Sequence, residues 1–75
     1  MKELVEYIVK SIVSEPDKVS ITEESGEEGL LIKLEVAAED KGRVIGRQGR
    51  VAEAMRTLLR VKAAKNETRV RLEIV

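Results

Sequence analysis

Two glycines three residues apart, Gly46 and Gly49, interrupt the middle of the chain, with an arginine and a glutamine between them. The residues before this interruption, 38–45, and the residues after it, 49–64, both have helical patterns. Glycine adopts positive φ at little cost, and it lets a backbone approach a ligand without a Cβ in the way. We therefore expect two helices joined by a tight turn whose backbone is open to a ligand.

Hydrophobic periodicity predicts the remaining elements. Apolar residues recur at three- and four-residue steps over residues 3–13, which predicts an amphipathic helix that ends before Pro16. Alternation of apolar and polar residues predicts three strands, over residues 18–24, 30–37 and 68–75. The short polar link 25–29 makes the first two strands an antiparallel hairpin. A strand, a helical crossover and another strand in one sheet normally run parallel, so the last strand should lie beside the second.

The expected fold class is therefore α+β with the order α-β-β-α-α-β. It consists of a three-stranded mixed sheet with three helices packed on one face, in one domain over residues 1–75. A chain of 75 residues leaves no room for a second core. The helix 49–64 is expected to turn one apolar face to the sheet, made of Val51, Ala52, Met55, Leu58, Leu59 and Val61.

Charge is distributed unevenly although the net charge is zero. Residues 1–40 contain 4 Lys/Arg and 11 Asp/Glu, whereas residues 41–65 contain 8 Lys/Arg and 1 Asp/Glu. The basic segment begins just before the glycine turn and ends with the helix after it. A local positive field of this kind favours a polyanionic partner.

The composition argues against several other functions. Cysteine and histidine are both absent, which removes disulfides, thiolate chemistry and the commonest general base and metal ligand. We predict no enzymatic activity, no cofactor, no metal site and no small-molecule substrate. No apolar run approaches the roughly 20 residues that span a bilayer, and acidic residues near Met1 do not suit a secretion signal. We expect a cytoplasmic protein with no membrane partner.

The residues around the glycine turn predict a site for a phosphodiester backbone. Arg47 can donate two hydrogen bonds to one phosphate, and Gln48 can serve a phosphate, a ribose or a base edge. The following helix directs its N-terminal N–H groups toward whatever lies over the turn. Further positive charge comes from three flanking residues, Lys41, Arg43 and Arg50.

Two other motifs deserve comparison. The spacing is not that of a nucleotide-binding P-loop, and no Lys-Ser/Thr pair follows the second glycine. A helix-turn-helix that binds DNA is the more serious alternative, because two helices with a glycine turn and a basic second helix fit it. The short first helix and the flanking strands count against it.

The run from Glu39 to Thr57, with Val44-Ile45-Gly46-Arg47-Gln48-Gly49 at its centre, resembles the K-homology (KH) RNA-binding domain. The element order resembles the type II arrangement, and the whole chain is similar to the small stand-alone bacterial KH proteins of the KhpA/YlqC family. One departure is Ala38, where the family usually has proline.

The resemblance implies a groove for about four nucleotides of single-stranded RNA, with the GxxG loop Gly46-Arg47-Gln48-Gly49 clamping the backbone. It implies an apolar groove floor formed or supported by Val44, Ile45 and Val51. The opposite wall would be the last strand with the loop before it, hence Lys65, Asn66 and Arg69. It also implies a homodimer, or a heterodimer with a second KH-containing protein of the KhpB/Jag type, and a role as a post-transcriptional regulator or RNA chaperone.

The sequence leaves one further alternative open, a KH-like adaptor that binds proteins and little RNA. Tyr7 is the only aromatic residue, so base stacking cannot supply much affinity. We therefore expect weak binding by a single copy, roughly micromolar or weaker, that falls steeply with salt.

Overall fold

The computed structural model describes residues 1–75 and contains three helices and three strands. In chain order they are α1 (Lys2–Ile12), β1 (Ser20–Gly26), β2 (Gly29–Glu35), α2 (Ala38–Ile45), α3 (Arg50–Lys65) and β3 (Val70–Ile74). Two short 3₁₀ turns, Pro16–Lys18 and Arg47–Gly49, precede β1 and α3. The order α-β-β-α-α-β and the α+β class are as the sequence predicts.

The sheet is mixed, with β2 at its centre. β2 pairs antiparallel with β1 and parallel with β3, so that Ile32 lies opposite Glu23 on one side and Leu72 on the other. The parallel pair confirms the predicted crossover through α2 and α3. Both β1 and β3 are edge strands, and the outer edge of β3 lies beside α3.

The core lies between the inner face of the sheet and the three helices. It contains nine buried side chains, and every helix and the two more apolar strands contribute to it: Val5, Val9, Ile32, Leu34, Val36, Val44, Met55, Leu59 and Leu72. Burying one such aliphatic side chain fully is worth about 1.5–3 kcal/mol. Because this small core has no aromatic residue, close packing of aliphatic groups positions the helices on the sheet.

The start of β1 differs from its prediction. The strand begins at Ser20 and not at residue 18, because Pro16–Lys18 forms a 3₁₀ turn. Proline holds φ near the helical value and is well tolerated at the first position of a helical turn. The other element ends lie within two residues of the predicted positions.

The apolar face of α3 was predicted wrongly at two positions. Leu58 is 50% exposed and Val61 is 65% exposed. The buried positions are Ala52, Met55, Leu59 and Ala63, which repeat at steps of three and four residues. On that repeat Leu58 lies at the margin and Val61 faces away from the sheet, whereas the small side chain of Ala63 lets the helix end approach the core. No helix has the length and apolar character needed to cross a bilayer.

A buried carboxylate joins α2 to the loop that follows α1. Asp40 is only 3% exposed. It accepts hydrogen bonds from the Ser14 amide at 3.0 Å, the Ser14 hydroxyl at 2.8 Å and the Glu15 amide at 3.1 Å. One turn later, Arg43 donates to the carbonyl of Ile12 at 3.3 Å. Two polar side chains of α2 thus fix the end of α1 and the loop after it.

The two neighbouring carboxyls of α2 have opposite pKa shifts. The Ser14 amide, helped by the Ser14 hydroxyl and the Glu15 amide, lowers the pKa of Asp40 although its burial opposes this. The carboxyl of Glu15 raises the pKa of Glu39, because the two groups can share a proton. One carboxylate oxygen of Glu15 is buried without a hydrogen-bond partner. A proton on Glu39 would supply that partner.

We predict that Asp40→Asn lowers the urea midpoint of unfolding at pH 7, because an amide cannot accept all three hydrogen bonds. A lowered pKa in the folded state means that ionised Asp40 stabilises the fold above its ordinary pKa of about 4. This contribution is lost as the pH falls through the lower folded value. The difference in midpoint between wild type and Asp40→Asn should therefore be largest near pH 7 and shrink toward pH 2. A difference independent of pH would contradict this assignment, and Asp17→Asn is the exposed control.

Candidate nucleic-acid interface

The turn between α2 and α3 has three residues with positive φ. They are Gly46 (φ 79°, ψ 170°), Gln48 (φ 57°, ψ 26°) and Gly49 (φ 73°, ψ 14°). The conformation of Gly46 is one that only glycine adopts readily. Gln48 is not a glycine, so holding it in the left-handed region costs roughly 1–2 kcal/mol. The Gly49 amide donates to the Gly46 carbonyl at 3.1 Å and closes the turn.

The two glycines serve different purposes. A Cβ on Gly46 would lie 2.5 Å from Val51 Cγ2 and 2.8 Å from the Val51 amide nitrogen, so α3 packs directly on the end of α2. A Cβ on Gly49 would meet nothing within 4 Å. Gly46 therefore allows a close contact inside the protein, whereas Gly49 leaves open space at the surface of the loop.

The side chains at the tip of the loop are exposed and cationic. Arg47 forms no ion pair and no side-chain hydrogen bond, so its guanidinium is free to bind a ligand. Arg50 donates to Gln48 Oε1 at 3.4 Å, which leaves the amide NH₂ of Gln48 free. No side chain caps the first turn of α3. The positive end of this 16-residue helix thus lies at the loop.

The other predicted site residues occupy different environments. Lys41 is exposed and unpaired, whereas the guanidinium of Arg43 donates a hydrogen bond to the Ile12 carbonyl at the end of α1. Val44 is fully buried in the core, so it can support a groove floor but not form its surface. Ile45 keeps 37% of its surface exposed, and Val51 is half-buried against Gly46. The structure thus leaves Arg47 free at the loop, gives Arg43 a hydrogen-bond partner at the end of α1 and buries Val44 in the core.

A groove lies between α3 and the outer edge of β3. Its lining consists of three arginines, one acid and three aliphatic residues: Arg56, Arg60, Arg71, Glu73, Leu59, Val70 and Leu72. None of these is among the predicted site residues. Arg56 and Arg60 lie one helical turn apart, and this spacing could have indicated a shared binding face. Arginines on an ordinary solvated helix face have the same spacing, so the pattern does not identify a site. The wall opposite α3 is β3 itself; Lys65, Asn66 and Arg69 do not line the groove.

Glu53 modifies the charge of this groove. It is the only acid among residues 41–65, and it lies 3.3 Å from Arg60 and 3.8 Å from Arg56. Exposed ion pairs of this kind contribute little to stability, typically about 0–1 kcal/mol. Their consequence here is electrostatic, since Glu53 partly neutralises both arginines and holds them along the same face of α3.

The surrounding fold also bears on the helix-turn-helix alternative. α2 has 8 residues, and the pair α2–α3 forms the crossover between the parallel strands β2 and β3. The first helix of the pair is thus short, and its Val44 is buried in the core. This is the frame expected from the KH resemblance.

Comparison with known proteins identifies the family. Residues 2–74 match the family described as KhpA/KhpB, KH domain. The chain is 48% identical to the RNA-binding protein KhpA of Clostridium acetobutylicum over the full length of both proteins. It is 49% identical to the RNA-binding protein KhpA of Listeria monocytogenes, covering 100% of this chain and 99% of the relative. This chain belongs to the KhpA/KhpB family of KH domains. No solved structure matches it.

The different roles of the glycines predict a graded set of stability changes. Gly46→Ala should destabilise by at least about 2–3 kcal/mol, because it combines backbone strain with the collision against Val51. Gly49→Ala should lower the free energy of unfolding by only about 1 kcal/mol, because the left-handed backbone conformation is its only source of strain. Gly42→Ala, inside α2 with open space around it, should stabilise by about 0.5–1 kcal/mol. Urea denaturation measures all three. Equal losses for Gly46→Ala and Gly49→Ala would refute the distinction.

Proposed function

We propose that this protein binds single-stranded RNA. The strand would be held by its phosphates at the loop Gly46-Arg47-Gln48-Gly49, and its bases would lie in the groove between α3 and β3. The observation that carries this proposal is the loop itself, which combines open space over Gly49 with an exposed, unpaired Arg47 two residues earlier. The names of the relatives, RNA-binding protein KhpA, support RNA as the ligand.

The loop and the groove belong to one continuous surface. Glu53, Arg56 and Arg60 of α3 continue from Gly49, the residue just before the helix, at steps of three and four residues, so they share one face of the helix. A rise of 1.5 Å per residue puts Arg56 about 10 Å along the axis from Gly49. A phosphate at the loop and a base in the groove can therefore belong to the same short stretch of RNA.

Electrostatics would supply most of the affinity. Tyr7, the one aromatic residue, lies on α1, so stacking on aromatic rings is not available in the groove. Each phosphate that the protein neutralises on a single strand contributes about −0.7 to the slope of log K plotted against log [salt]. We therefore propose that one copy binds RNA weakly and that this binding falls as the salt concentration rises. We also propose a role in the cytoplasm as a post-transcriptional regulator or RNA chaperone.

The double variant Arg47→Asp/Gln48→Asp tests the clamp. Its affinity for a short single-stranded RNA should fall at least about tenfold, because a charge-assisted phosphate contact, worth about 1.5–3 kcal/mol, is replaced by repulsion. Fluorescence anisotropy with labelled oligonucleotides gives the affinity, and circular dichroism checks the fold.

Lys2→Asp/Ser25→Asp is the matched control, because it makes the same change in net charge away from the loop. It should lose much less affinity. An unchanged affinity in the folded loop variant, or an equal loss in the control, would rule out the clamp. Tighter binding to duplex DNA than to single-stranded RNA would favour the helix-turn-helix alternative.

A second proposal concerns association of two copies. α3 exposes Val61 on the side away from the sheet and Leu58 at the margin of its buried face, with Ala54 one turn before Leu58. These residues form an apolar stripe on a helix whose other exposed residues are mostly charged. A stripe on one straight helix can pair with its own copy about a two-fold axis, and antiparallel packing would oppose the two helix dipoles favourably. We propose a homodimer through α3, which would combine two weak RNA sites.

Leu58→Glu/Val61→Glu should convert the protein to a monomer without unfolding it, since both side chains are at least half exposed. Light scattering coupled to size exclusion measures the mass over a range of concentrations. Tyr7→Glu is the control, because it adds a charge at another exposed apolar side chain, on α1. A monomeric wild type, or a dimeric double variant, would contradict this interface. The monomeric variant should still bind RNA, because its loop is unchanged. Measuring this binding tests the dimer interface independently of the clamp.

A further inference from the structure

The outer edge of β3 presents unpaired backbone groups to the groove. Within a parallel strand the peptide groups of alternate residues point to opposite sides. The Arg69 carbonyl accepts from the Leu30 amide, and the Val75 amide donates to the Leu34 carbonyl, both across the pairing with β2. Leu72, halfway between them in register, therefore turns its N–H and its carbonyl away from β2 and toward α3.

Arg56 occupies one of these two groups. Its Nη2 donates to the carbonyl of Leu72 at 3.4 Å, while its Nη1 lies 3.8 Å from Glu53. The side chain is partly buried, with 36% of its surface exposed. The guanidinium is thus held across the groove between α3 and the strand edge. It has five N–H donors and no acceptor, so several donors remain directed at the groove.

This contact changes what the strand edge can recognise. A bare strand edge offers one donor and one acceptor side by side, which complements an adenine through its N1 acceptor and N6 donor. Arg56 takes up one of the two lone pairs of the Leu72 carbonyl, so a base that meets the Leu72 N–H also meets the guanidinium of Arg56 beside it. The edge becomes a pair of adjacent donors.

Only two of the four RNA bases carry two adjacent acceptors. Cytosine has N3 and O2 on its Watson–Crick edge, and guanine has O6 and N7 on its Hoogsteen edge, which arginine commonly contacts. In adenine and uracil every acceptor on these edges has a donor or a carbon beside it. RNA-binding proteins read unstacked bases on both of these edges.

We propose that Arg56, by covering the Leu72 carbonyl, makes the groove select cytosine or guanine over adenine and uracil. The inference rests on the proposed RNA binding and assigns the base preference of that same site. Arg60 lacks this role, because its guanidinium pairs with Glu53 and donates no hydrogen bond to the strand edge, although it lines the same groove. Arg56 is thus a specificity residue, whereas Arg60 contributes charge alone.

The test compares Arg56→Met with Arg60→Met, which remove the same group one helical turn apart. Four RNA oligonucleotides differ only in the identity of two central nucleotides. Wild type should bind the cytosine or the guanine oligonucleotide at least about fivefold more tightly than the adenine one, the lower end of what one bidentate base contact discriminates. Arg56→Met should lose this preference or reverse it toward adenine, because it frees the carbonyl. Arg60→Met should bind all four more weakly by a similar factor.

Urea denaturation confirms that both variants are folded before binding is measured. RNA binding by wild type without base preference, or a preference that survives in Arg56→Met, would overturn this inference and leave the clamp intact. If Arg60→Met loses the base preference to the same extent as Arg56→Met, the preference results from positive charge alone, and the inference is overturned as well. Absence of RNA binding by wild type would instead remove the proposed function itself. Replacing guanine by 7-deazaguanine, which lacks N7, should abolish any preference for guanine.

Discussion

The direct packing of Val51 on Gly46 is the contact on which the rest of the site depends. It turns the chain from α2 into α3 within four residues, and it is possible only because Gly46 has no Cβ and adopts positive φ. With α3 fixed in this way, the positive end of the helix lies at the loop and its arginines lie beside β3. The geometry of loop and groove thus follows from one contact between α2 and α3.

Polar interactions position the loop after α1 and the arginines of α3, which the core alone does not hold in place. The core is small and aliphatic, and aliphatic packing is not directional. The carboxylate of Asp40 supplies the missing direction by accepting three hydrogen bonds from the loop after α1. Glu53 has a similar part on the surface, since it aligns Arg56 and Arg60 along one face of α3. In both cases an acid organises its neighbours through short-range contacts.

Much of the fold was predictable, because hydrophobic periodicity reports directly on secondary structure. The order of elements, the hairpin and the parallel β3 all followed from periods and link lengths. The two errors on α3 have a common cause. Leu58 and Val61 were assigned to the core because they are apolar, but an exposed apolar side chain is ordinary on a protein surface. Asp40 lies in the first turn of α2, as predicted, but its burial and its hydrogen bonds to the loop around Ser14 could not be predicted, because that loop lies about 26 residues away in sequence.

The family, the element order and the loop could be read from the amino acids alone, because glycine spacing and periodicity are local properties of the chain. The basic segment, residues 41–65, was visible in the same way. Which of its charges are free depends on contacts between segments that are distant in sequence. Arg43 and Arg47 have the same side chain, yet the first donates to the end of α1 and the second has no partner. The groove likewise exists only where α3 meets the edge of β3, because a concave surface and a covered carbonyl require segments that are distant in sequence.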